Sequence, residues 1–391
     1  MSRLILFLTI FVNSCVYSQG RLPILAFSGV QTGNVNDFIM LKNAGFNISL
    51  DVYKNTNDAI RNLDAANKVG IKLFIYSDSL MLQPDKIINR IKDHPAFYGT
   101  YVSDEPSSEQ FPMVKWRIEG IKKFDKKGKF YVNLFPNEAS SKNLGTTSYQ
   151  NYLKKYVEVV QPDFISFDYY PIKFKKVDLA WYNNLEEIRK ISLQINKPFW
   201  AFANSTIFGP HSEPTLAGLK LQQFGNLLYG AKGLQYFTYW TQDKKFRDEN
   251  NFEYSIVYED GRPSPTYDIV KQLNSQIRNL EWIFMGSEVE KIYHDGKSVP
   301  QGTTKMVNFP EYFREFNTSK ESIMLSILEN SQNRFLIIQN KDIYRSIQFQ
   351  FKAADKINII NSQSGKQEGS VRNLNSANIL PGDLLIFTFK K

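Results

Sequence analysis

The chain of 391 residues is 42% hydrophobic and 22% charged, with a formal net charge of +9. This composition is typical of a globular protein, and the length suits a barrel of about 250 residues followed by a smaller domain. A single cysteine excludes an intramolecular disulfide and a thiolate metal cluster, and three scattered histidines do not predict a zinc site. The basic residues form neither a concentrated stripe nor a known motif, so we predict no nucleic-acid partner.

The first 18 residues have the pattern of a secretory signal peptide. Arg3 precedes an apolar run at 4–12 that is too short to span a bilayer, and small residues follow it. Cleavage after Ser18 predicts a secreted or periplasmic protein without a transmembrane segment. The alternative is a lipid anchor at Cys15 in "VNSC", which would make an envelope lipoprotein. Asn13 is unusual in such a lipidation motif, which favours the secreted form.

Short β-rich runs recur along the next 220 or so residues, each followed by a longer helical pattern. The predicted strands cover 22–27, 46–53, 71–78, 97–105, 129–135, 163–171, 198–205 and 233–240. Several are apolar on both faces, as strands of a parallel sheet covered by helices must be. Eight such units predict a (β/α)₈ barrel. An open doubly wound sheet would need a glycine-rich phosphate turn after the first strand, and "FSGVQTGN" has the wrong spacing.

Helical signals lie between these strands. The run at 56–70 offers Thr56 and Asn57 as N-caps and Gly70 as its stop. Pro84 stands near the start of another helix, and the run at 264–284 predicts the helix that closes the barrel.

The sequence pattern changes near residue 286. Short alternating strands follow, separated by polar turns, at 322–328, 334–340, 346–351, 356–361 and 384–389. This pattern is typical of a small antiparallel β-sandwich. We therefore predict a signal peptide at 1–18, a barrel at 19–285 and a β-sandwich domain at 286–391.

The ends of the predicted strands are rich in acids, amides and aromatic residues. In such barrels the active site lies at the carboxyl ends of the strands. The acids and amides there are Asp51, Asp78, Asp104, Glu105, Asn133, Asp168 and Asn204, and the aromatic residues include Tyr101, Tyr169, Tyr170, Tyr239 and Trp240.

A ring of carboxylates at one end of the barrel indicates a functional role, because burial of unpaired charge is energetically costly. Carboxylates accept hydrogen bonds from sugar hydroxyls, and aromatic rings stack on the C–H face of a sugar. We therefore predict a carbohydrate substrate. Its predicted contacts are Asp51, Asp78, Asn133, Tyr169, Tyr170, Asn204, Tyr239 and Trp240. An oxygen-ligated Ca²⁺ or Mg²⁺ site is a weaker alternative, since no dense acidic loop is present, and we predict no metal or cofactor.

The segment "SDEP" at 103–106 resembles the [N/D]-E-P motif at the end of strand four in the clan A glycoside hydrolases. That resemblance implies that Glu105 is the general acid/base, with Asp104 in the place of the usual Asn. "TYW" at 238–240 resembles the end of strand eight in the same clan, which implies that Trp240 forms the floor of a sugar subsite. "FDYYPI" (167–172), "GAKGLQYFTYW" (230–240) and "EDGRPSPTYDIVKQLN" (259–274) resemble bacterial relatives of the family 42 β-galactosidases, and the resemblance covers about residues 22–285.

One departure concerns the nucleophile. Retaining enzymes of this clan carry a nucleophilic Glu at the end of strand seven, where this sequence reads "FANS" (202–205) without a carboxylate. Glu213 comes eight residues beyond Ser205. The resemblance therefore supplies a proton donor but no nucleophile.

Three mechanisms stay open. In the first, Asp168 is the second carboxylate beside Glu105, at about 5–5.5 Å for a retaining enzyme or about 6.5–9.5 Å for an inverting one. In the second, Asp104 orients a substrate acetamido group that acts as nucleophile, with help from Tyr169 or Tyr170. In the third, Glu213 or Glu259 reaches in from a loop.

Every one of these mechanisms requires Glu105 as proton donor, so we expect its pKa to be raised. The sequence thus predicts a secreted glycoside hydrolase. The rival is a glycan-binding barrel that keeps the cleft but has lost its nucleophile.

Overall fold

The computed structural model describes residues 20–308, 312–317, 322–353, 357–371 and 374–390. The predicted signal peptide and the alternative lipid anchor at Cys15 lie outside these residues. Among the helices of the described part, none combines the length and apolarity needed to span a bilayer.

The barrel region contains ten strands. They are β1 (Ile24–Phe27), β2 (Ile48–Val52), β3 (Lys72–Tyr76), β4 (Phe97–Asp104), β5 (Lys129–Leu134), β6 (Ile165–Phe167), β7 (Ile172–Lys173), β8 (Lys176–Val177), β9 (Phe199–Asn204) and β10 (Gly233–Phe237). Eight of them form a closed parallel barrel in the order β1-β2-β3-β4-β5-β6-β9-β10, and β10 pairs with β1. The predicted barrel is confirmed. Strands β7 and β8 form a separate small hairpin after β6.

Helices cover the outside of the barrel and occupy the loops at its mouth. They are α1 (Val35–Asn43), α2 (Thr56–Val69), α3 (Asp78–Leu82), α4 (Pro84–Ile91), α5 (Phe111–Lys122), α6 (Ser141–Leu144), α7 (Tyr149–Val160), α8 (Ala180–Ile195), α9 (Leu216–Leu228), α10 (Lys244–Asn250) and α11 (Pro265–Gly286). The long α11 closes the barrel, as the pattern at 264–284 predicts.

Local capping fixes where these elements begin and end. Helix α2 is capped by Asn55, one residue before the predicted Thr56, because the Asn55 side chain accepts the N–H groups of Asn57 and Asp58. Gly70 ends the helix with φ of 76°, which favours glycine, so the predicted stop is confirmed.

Large side chains fill the barrel interior. They are Leu25, Ile48, Leu50, Phe74, Tyr101, Tyr131, Phe164 and Trp200. Gly233 on β10 leaves room for the Trp200 indole, since a Cβ at Gly233 would lie 2.4 Å from that ring. Because side chains fill the interior, a ligand can reach the barrel only at the end where the strands terminate.

The C-terminal region contains two antiparallel sheets. Its strands are β11 (Glu288–Asp295), β12 (Phe313–Asn317), β13 (Ile323–Glu329), β14 (Asn333–Asn340), β15 (Ile347–Ala353), β16 (Ile357–Ile360), β17 (Gln367–Val371), β18 (Leu374–Ile379) and β19 (Leu384–Lys390). The larger sheet has the order β11-β13-β14-β19-β16-β17 and the smaller one β12-β15-β18. The predicted β-sandwich is confirmed.

The middle of the larger sheet, at β13 and β14, is buried on both faces. On β13, Ile323, Leu325 and Ile327 join the core between the two sheets. Met324 and Leu328 point the other way and join the core of the barrel. This alternation follows from the two-residue period of a strand. It makes the β-domain part of the packing of the barrel.

A buried ion pair also links the two regions. Lys220 on α9 donates to Asp383 Oδ2 at 2.5 Å, and the two side chains are 5% and 4% exposed. Gln276 on α11 and Gln363 also donate to the Asp383 carboxylate, each at 3.0 Å. The carboxylate is therefore fully engaged.

Candidate active site

The carboxyl ends of β4 and β6 bring Glu105 and Asp168 together at the mouth of the barrel. Strand β5 lies between them, and its Asn133 is in register with Asp104 on one side and Ser166 on the other. The two carboxyl groups are close enough to share a hydrogen bond. The pairing expected in the first of the three mechanisms is thus present in the structure.

Glu105 leaves β4 through an unusual backbone conformation. Its φ is 42°, a left-handed value that is uncommon for a residue with a side chain. Its N–H donates to the Asn133 carbonyl oxygen at 2.9 Å, which holds the turn onto β5. Pro106 follows and disfavours the right-handed helical region for the residue before it. Backbone strain of this kind often marks a functional position.

Asp168 is held in place by neutral donors. The Asn133 amide donates to Asp168 Oδ1 at 3.0 Å, and the Tyr170 hydroxyl also bonds to this carboxyl group. Ser166 donates to Asn133 Oδ1 at 3.0 Å and so fixes the amide orientation. This arrangement stabilises an ionised Asp168 without a cation.

Asp104 reaches the same cluster because of a β-bulge. The register shifts between Tyr101 and Ser103, so that Tyr101 pairs with Tyr131 and Asp104 with Asn133. Two residues on β5 thus match three on β4, which places Tyr101 and Asp104 on the same side of the sheet. The Tyr101 hydroxyl and the Asn133 amide both hydrogen-bond the Asp104 carboxyl group.

All three carboxyl groups have raised pKa values. Burial is the largest cause for Glu105, followed by the charges of Asp168 and Asp104, and together they raise its pKa to about 8. Burial and the Asp104 charge raise the pKa of Asp168 to about 7, against the opposing effect of the Asn133 and Tyr170 hydrogen bonds. The pKa of Asp104 is also raised by loss of hydration, although its side chain is exposed within the mouth.

The raised pKa expected for a proton donor at Glu105 is confirmed. The Glu105 and Asp168 carboxyl groups both have raised pKa values, so the pair holds a proton near neutral pH.

Aromatic rings form the floor of the mouth beside this pair. Phe27 contacts Tyr101 and Phe202 edge-on, with centroids 5.9 and 5.5 Å apart. Tyr170 packs on Phe237 with centroids 5.3 Å apart. Phe27, Tyr170 and Phe237 are partly exposed, so they present apolar surface to anything that enters the mouth.

A cavity of about 560 Å³ opens at the ends of β1, β2 and β10. Asp51 and Trp240 line it, together with Tyr53. Burial raises the pKa of Asp51 to about 7, opposed by hydrogen bonds from Gln31 and the Val52 N–H. The remaining oxygen, Oδ2, has no hydrogen-bond partner among the described residues. The predicted contacts Asp51 and Trp240 thus share one cavity.

Four other predicted contacts form no hydrogen bond with Glu105 or Asp168 among the described residues. Asp78 begins helix α3 instead of ending β3, because Ser77 caps that helix, and its side chain is exposed. Tyr169 is buried and donates to Asp178 at 2.7 Å. Tyr239 is buried against Phe46, with centroids 5.4 Å apart.

Asn204, the fourth, accepts the Thr206 N–H at 3.1 Å and is buried. Since Tyr169, Asn204 and Tyr239 offer almost no surface to a ligand, we leave them and Asp78 out of the proposed site.

The two loop acids of the third mechanism are both engaged elsewhere. Glu213 accepts the Tyr254 hydroxyl at 2.6 Å, and Glu259 pairs with Arg247 at 2.7 Å. Sequence reasoning assigned no role to Tyr254 or to its neighbour Tyr258. Both lie in the irregular segment between β10 and α11, where no periodic pattern marks an inward-facing side chain.

Asp51→Asn is expected to stabilise the protein at alkaline pH. The folded protein holds the Asp51 proton up to about pH 7, whereas the unfolded chain releases it near 3.8. The free energy of unfolding therefore falls between these values by up to about 4 kcal/mol for this group. The variant has no ionisable group at this position, so its free energy of unfolding does not fall for this reason. Urea unfolding should show the variant as more stable at about pH 8 and nearly equal at about pH 4. A constant difference across this range would contradict the expectation.

No family model matches the chain, and no curated protein matches it by sequence. The resemblance to relatives of the family 42 enzymes therefore stays an expectation. Among solved structures, the chain is similar to a family 27 β-L-arabinopyranosidase from Geobacillus stearothermophilus. A variant of that enzyme bound to arabinose gives a TM-score of 0.52 at 8% identity, over 94% of this chain and 96% of the other. The wild-type enzyme gives 0.50, with the same identity and coverage. At this identity the likeness shows the fold, a (β/α)₈ barrel followed by a β-domain.

Proposed function

We propose that the protein is a secreted glycoside hydrolase in which Glu105 is the general acid/base and Asp168 the second carboxylate. The observation that carries the proposal is the convergence of these two carboxyl groups at the ends of β4 and β6, where the charge of Asp168 acts on Glu105. Glycoside hydrolysis uses two carboxyl groups, one as general acid and the other as nucleophile or general base. The fold and the aromatic floor support the same reaction class.

The surroundings of the two carboxyl groups support a different role for each. Burial and the neighbouring charges raise the pKa of Glu105, which donates its proton to the glycosidic oxygen as that bond breaks. Asp168 accepts hydrogen bonds from Asn133 and Tyr170, which favour its ionised form, and this carboxylate attacks the anomeric carbon to form a glycosyl-enzyme. Glu105 then removes a proton from the water that hydrolyses this intermediate, which restores the starting state.

The closeness of the pair favours retention of configuration. Carboxyl groups that act on each other directly are closer to the separation of about 5–5.5 Å of retaining enzymes than to the separation of about 6.5–9.5 Å that leaves room for the water of an inverting enzyme. Glu105 is only partly buried, so it can turn towards the open mouth as the sugar enters.

A panel of 4-nitrophenyl glycosides, including N-acetylglucosaminides, tests the proposal. We expect turnover of at least one sugar, with the first-formed anomer retained when followed by proton NMR. Asp168→Asn should abolish this turnover. The matched control Asp163→Asn changes an exposed carboxylate just before β6 and should leave it intact.

Other outcomes of the panel would point to the rivals. Turnover restricted to acetamido sugars and insensitive to Asp168→Asn would favour the mechanism in which Asp104 orients the acetamido group. An absence of turnover, with glycan binding unchanged in Glu105→Gln, would favour the glycan-binding barrel.

A further inference from the structure

The cavity beside Trp240 continues into a second one. This second cavity has a volume of about 650 Å³ and shares Thr241 and Glu259 with the first. Tyr254 and Tyr258 line it, and their rings lie 5.4 Å apart. We call the two adjoining cavities the strand-eight groove, because they adjoin β10, which is the eighth strand of the barrel. Its wall is the segment between β10 and α11, which includes the short helix α10.

The groove begins across the mouth from the catalytic pair. In the closed ring of eight strands, β10 stands opposite β4, which carries Glu105. Strand β2 likewise stands opposite β6, which carries Asp168. The aromatic floor of Phe27 and its neighbours lies between the two sides. A ligand that touches both the catalytic pair and Tyr258 must therefore cross the mouth and extend past Trp240.

The arginines along the groove are already neutralised. Each pairs with a nearby carboxylate: Arg61 with Asp58 at 2.9 Å, Arg247 with Glu259 at 2.7 Å and Arg262 with Asp260 at 2.8 Å. Lys54 is exposed at the rim and forms no ion pair among the described residues. Although the chain carries a net charge of +9, the groove offers no free guanidinium for a uronate or sulfate group.

The rings of the groove are exposed enough to bind. Trp240, Tyr254 and Tyr258 are all partly buried, which leaves surface for a ligand. The Trp240 indole N–H donates to the Glu259 carbonyl oxygen at 3.3 Å, and the Arg262 guanidinium covers one side of Tyr258 at 5.9 Å. These contacts fix the rings before a ligand arrives, which lowers the entropic cost of binding.

We propose that the strand-eight groove binds a neutral oligosaccharide chain that runs from the Glu105–Asp168 pair across the mouth, over Trp240 and past Tyr254 and Tyr258. The substrate is then a neutral oligosaccharide or polysaccharide with several sugar units on one side of the scissile bond. This inference rests on the proposed function for the identity of the pair, but binding in the groove is measurable without any turnover.

The test uses full-length Glu105→Gln protein, in which a bound glycan is not cleaved. Calorimetric titration with chito-, cello-, manno- and xylo-oligosaccharides of one to about five units should show one series whose affinity rises by roughly tenfold with length. Tyr258→Ala in this background should remove most of that gain while leaving the shortest ligands unaffected. Acidic oligogalacturonides should bind more weakly than the preferred neutral series.

Tyr344→Ala provides the matched control, because Tyr344 is an exposed tyrosine of the β-domain outside the groove. It should leave the dependence on length unchanged. Affinity independent of length, no effect of Tyr258→Ala on long ligands, or tighter binding of the acidic series would each overturn the inference. So would a failure of every series to bind. Since these results do not involve cleavage, they are distinct from the outcome of the glycoside panel.

Discussion

Glu105→Gln is expected to lower kcat on aryl glycosides by roughly 10² to 10⁴, the contribution of a positioned general acid. Glutamine keeps the size of the side chain and can still hydrogen-bond Asp168, but it has no acidic proton to transfer to the leaving group. The loss should be largest for glycosides with poor leaving groups, because these depend most on protonation of the departing oxygen. Steady-state kinetics on a series of leaving groups measures this gradient.

Glu105→Ala adds a second measurement to this series. Azide is a small anion that can enter the space left by the side chain and attack a glycosyl-enzyme without needing a general base. We therefore expect azide to restore turnover and to yield a glycosyl azide. Its configuration reports whether Asp168 holds the sugar as a covalent intermediate, since two displacements retain the starting anomer.

Glu109→Gln supplies the control for both variants. Glu109 is an exposed carboxylate four residues further along the chain, and it has no place in the proposed site. Its replacement should leave kcat within experimental error of the wild type. Full activity of Glu105→Gln, or equal losses in the two variants, would remove Glu105 from the mechanism.

Asp383→Leu is expected to lower the free energy of unfolding by about 3 to 5 kcal/mol, the typical cost of leaving one member of a buried ion pair without its partner. The Lys220 ammonium donates to Asp383 and has almost no exposed surface. Without the carboxylate this charge stays buried between the barrel and the β-domain, or it loses its proton. Urea denaturation followed by circular dichroism measures the change.

The double variant Lys220→Met, Asp383→Leu separates charge from packing. Replacing both partners by apolar side chains removes the stranded charge, so most of the lost stability should return. A surface pair gives the matched comparison. Lys244 and Asp248 lie 2.6 Å apart on exposed α10, and Asp248→Asn should change stability by less than about 1 kcal/mol. A double variant as unstable as Asp383→Leu would show that the site depends on shape instead of charge.

The sequence predicted the barrel well because parallel strands leave a strong signal. Strands covered on both faces read as apolar runs, and the helices between them keep a different period. The ends of β4 and β6 were therefore placed closely enough to pair Glu105 with Asp168. That pairing depends only on strand order in a closed barrel, which the repeat itself fixes.

Finer features of the site escaped prediction for physical reasons. The bulge in β4 inserts one residue and aligns Tyr101 with Asp104, whereas strict alternation would have placed them on opposite faces. The cap at Ser77 ended β3 early and moved Asp78 out of the barrel. Tyr254 and Tyr258 lie in an irregular segment whose path depends on tertiary contacts, so no local period could reveal them.

The sheet whose middle is buried on both faces has a consequence for protein engineering. Met324 and Leu328 belong to the same apolar core as the barrel helices, and neighbouring strands contribute Phe335 and Ile337 to it. A chain cut after α11 would expose the helix surfaces that these residues cover, and such a patch promotes aggregation. The barrel cannot be exchanged between fusion proteins as an independent module. The barrel and its β-domain must be transferred together, as one unit.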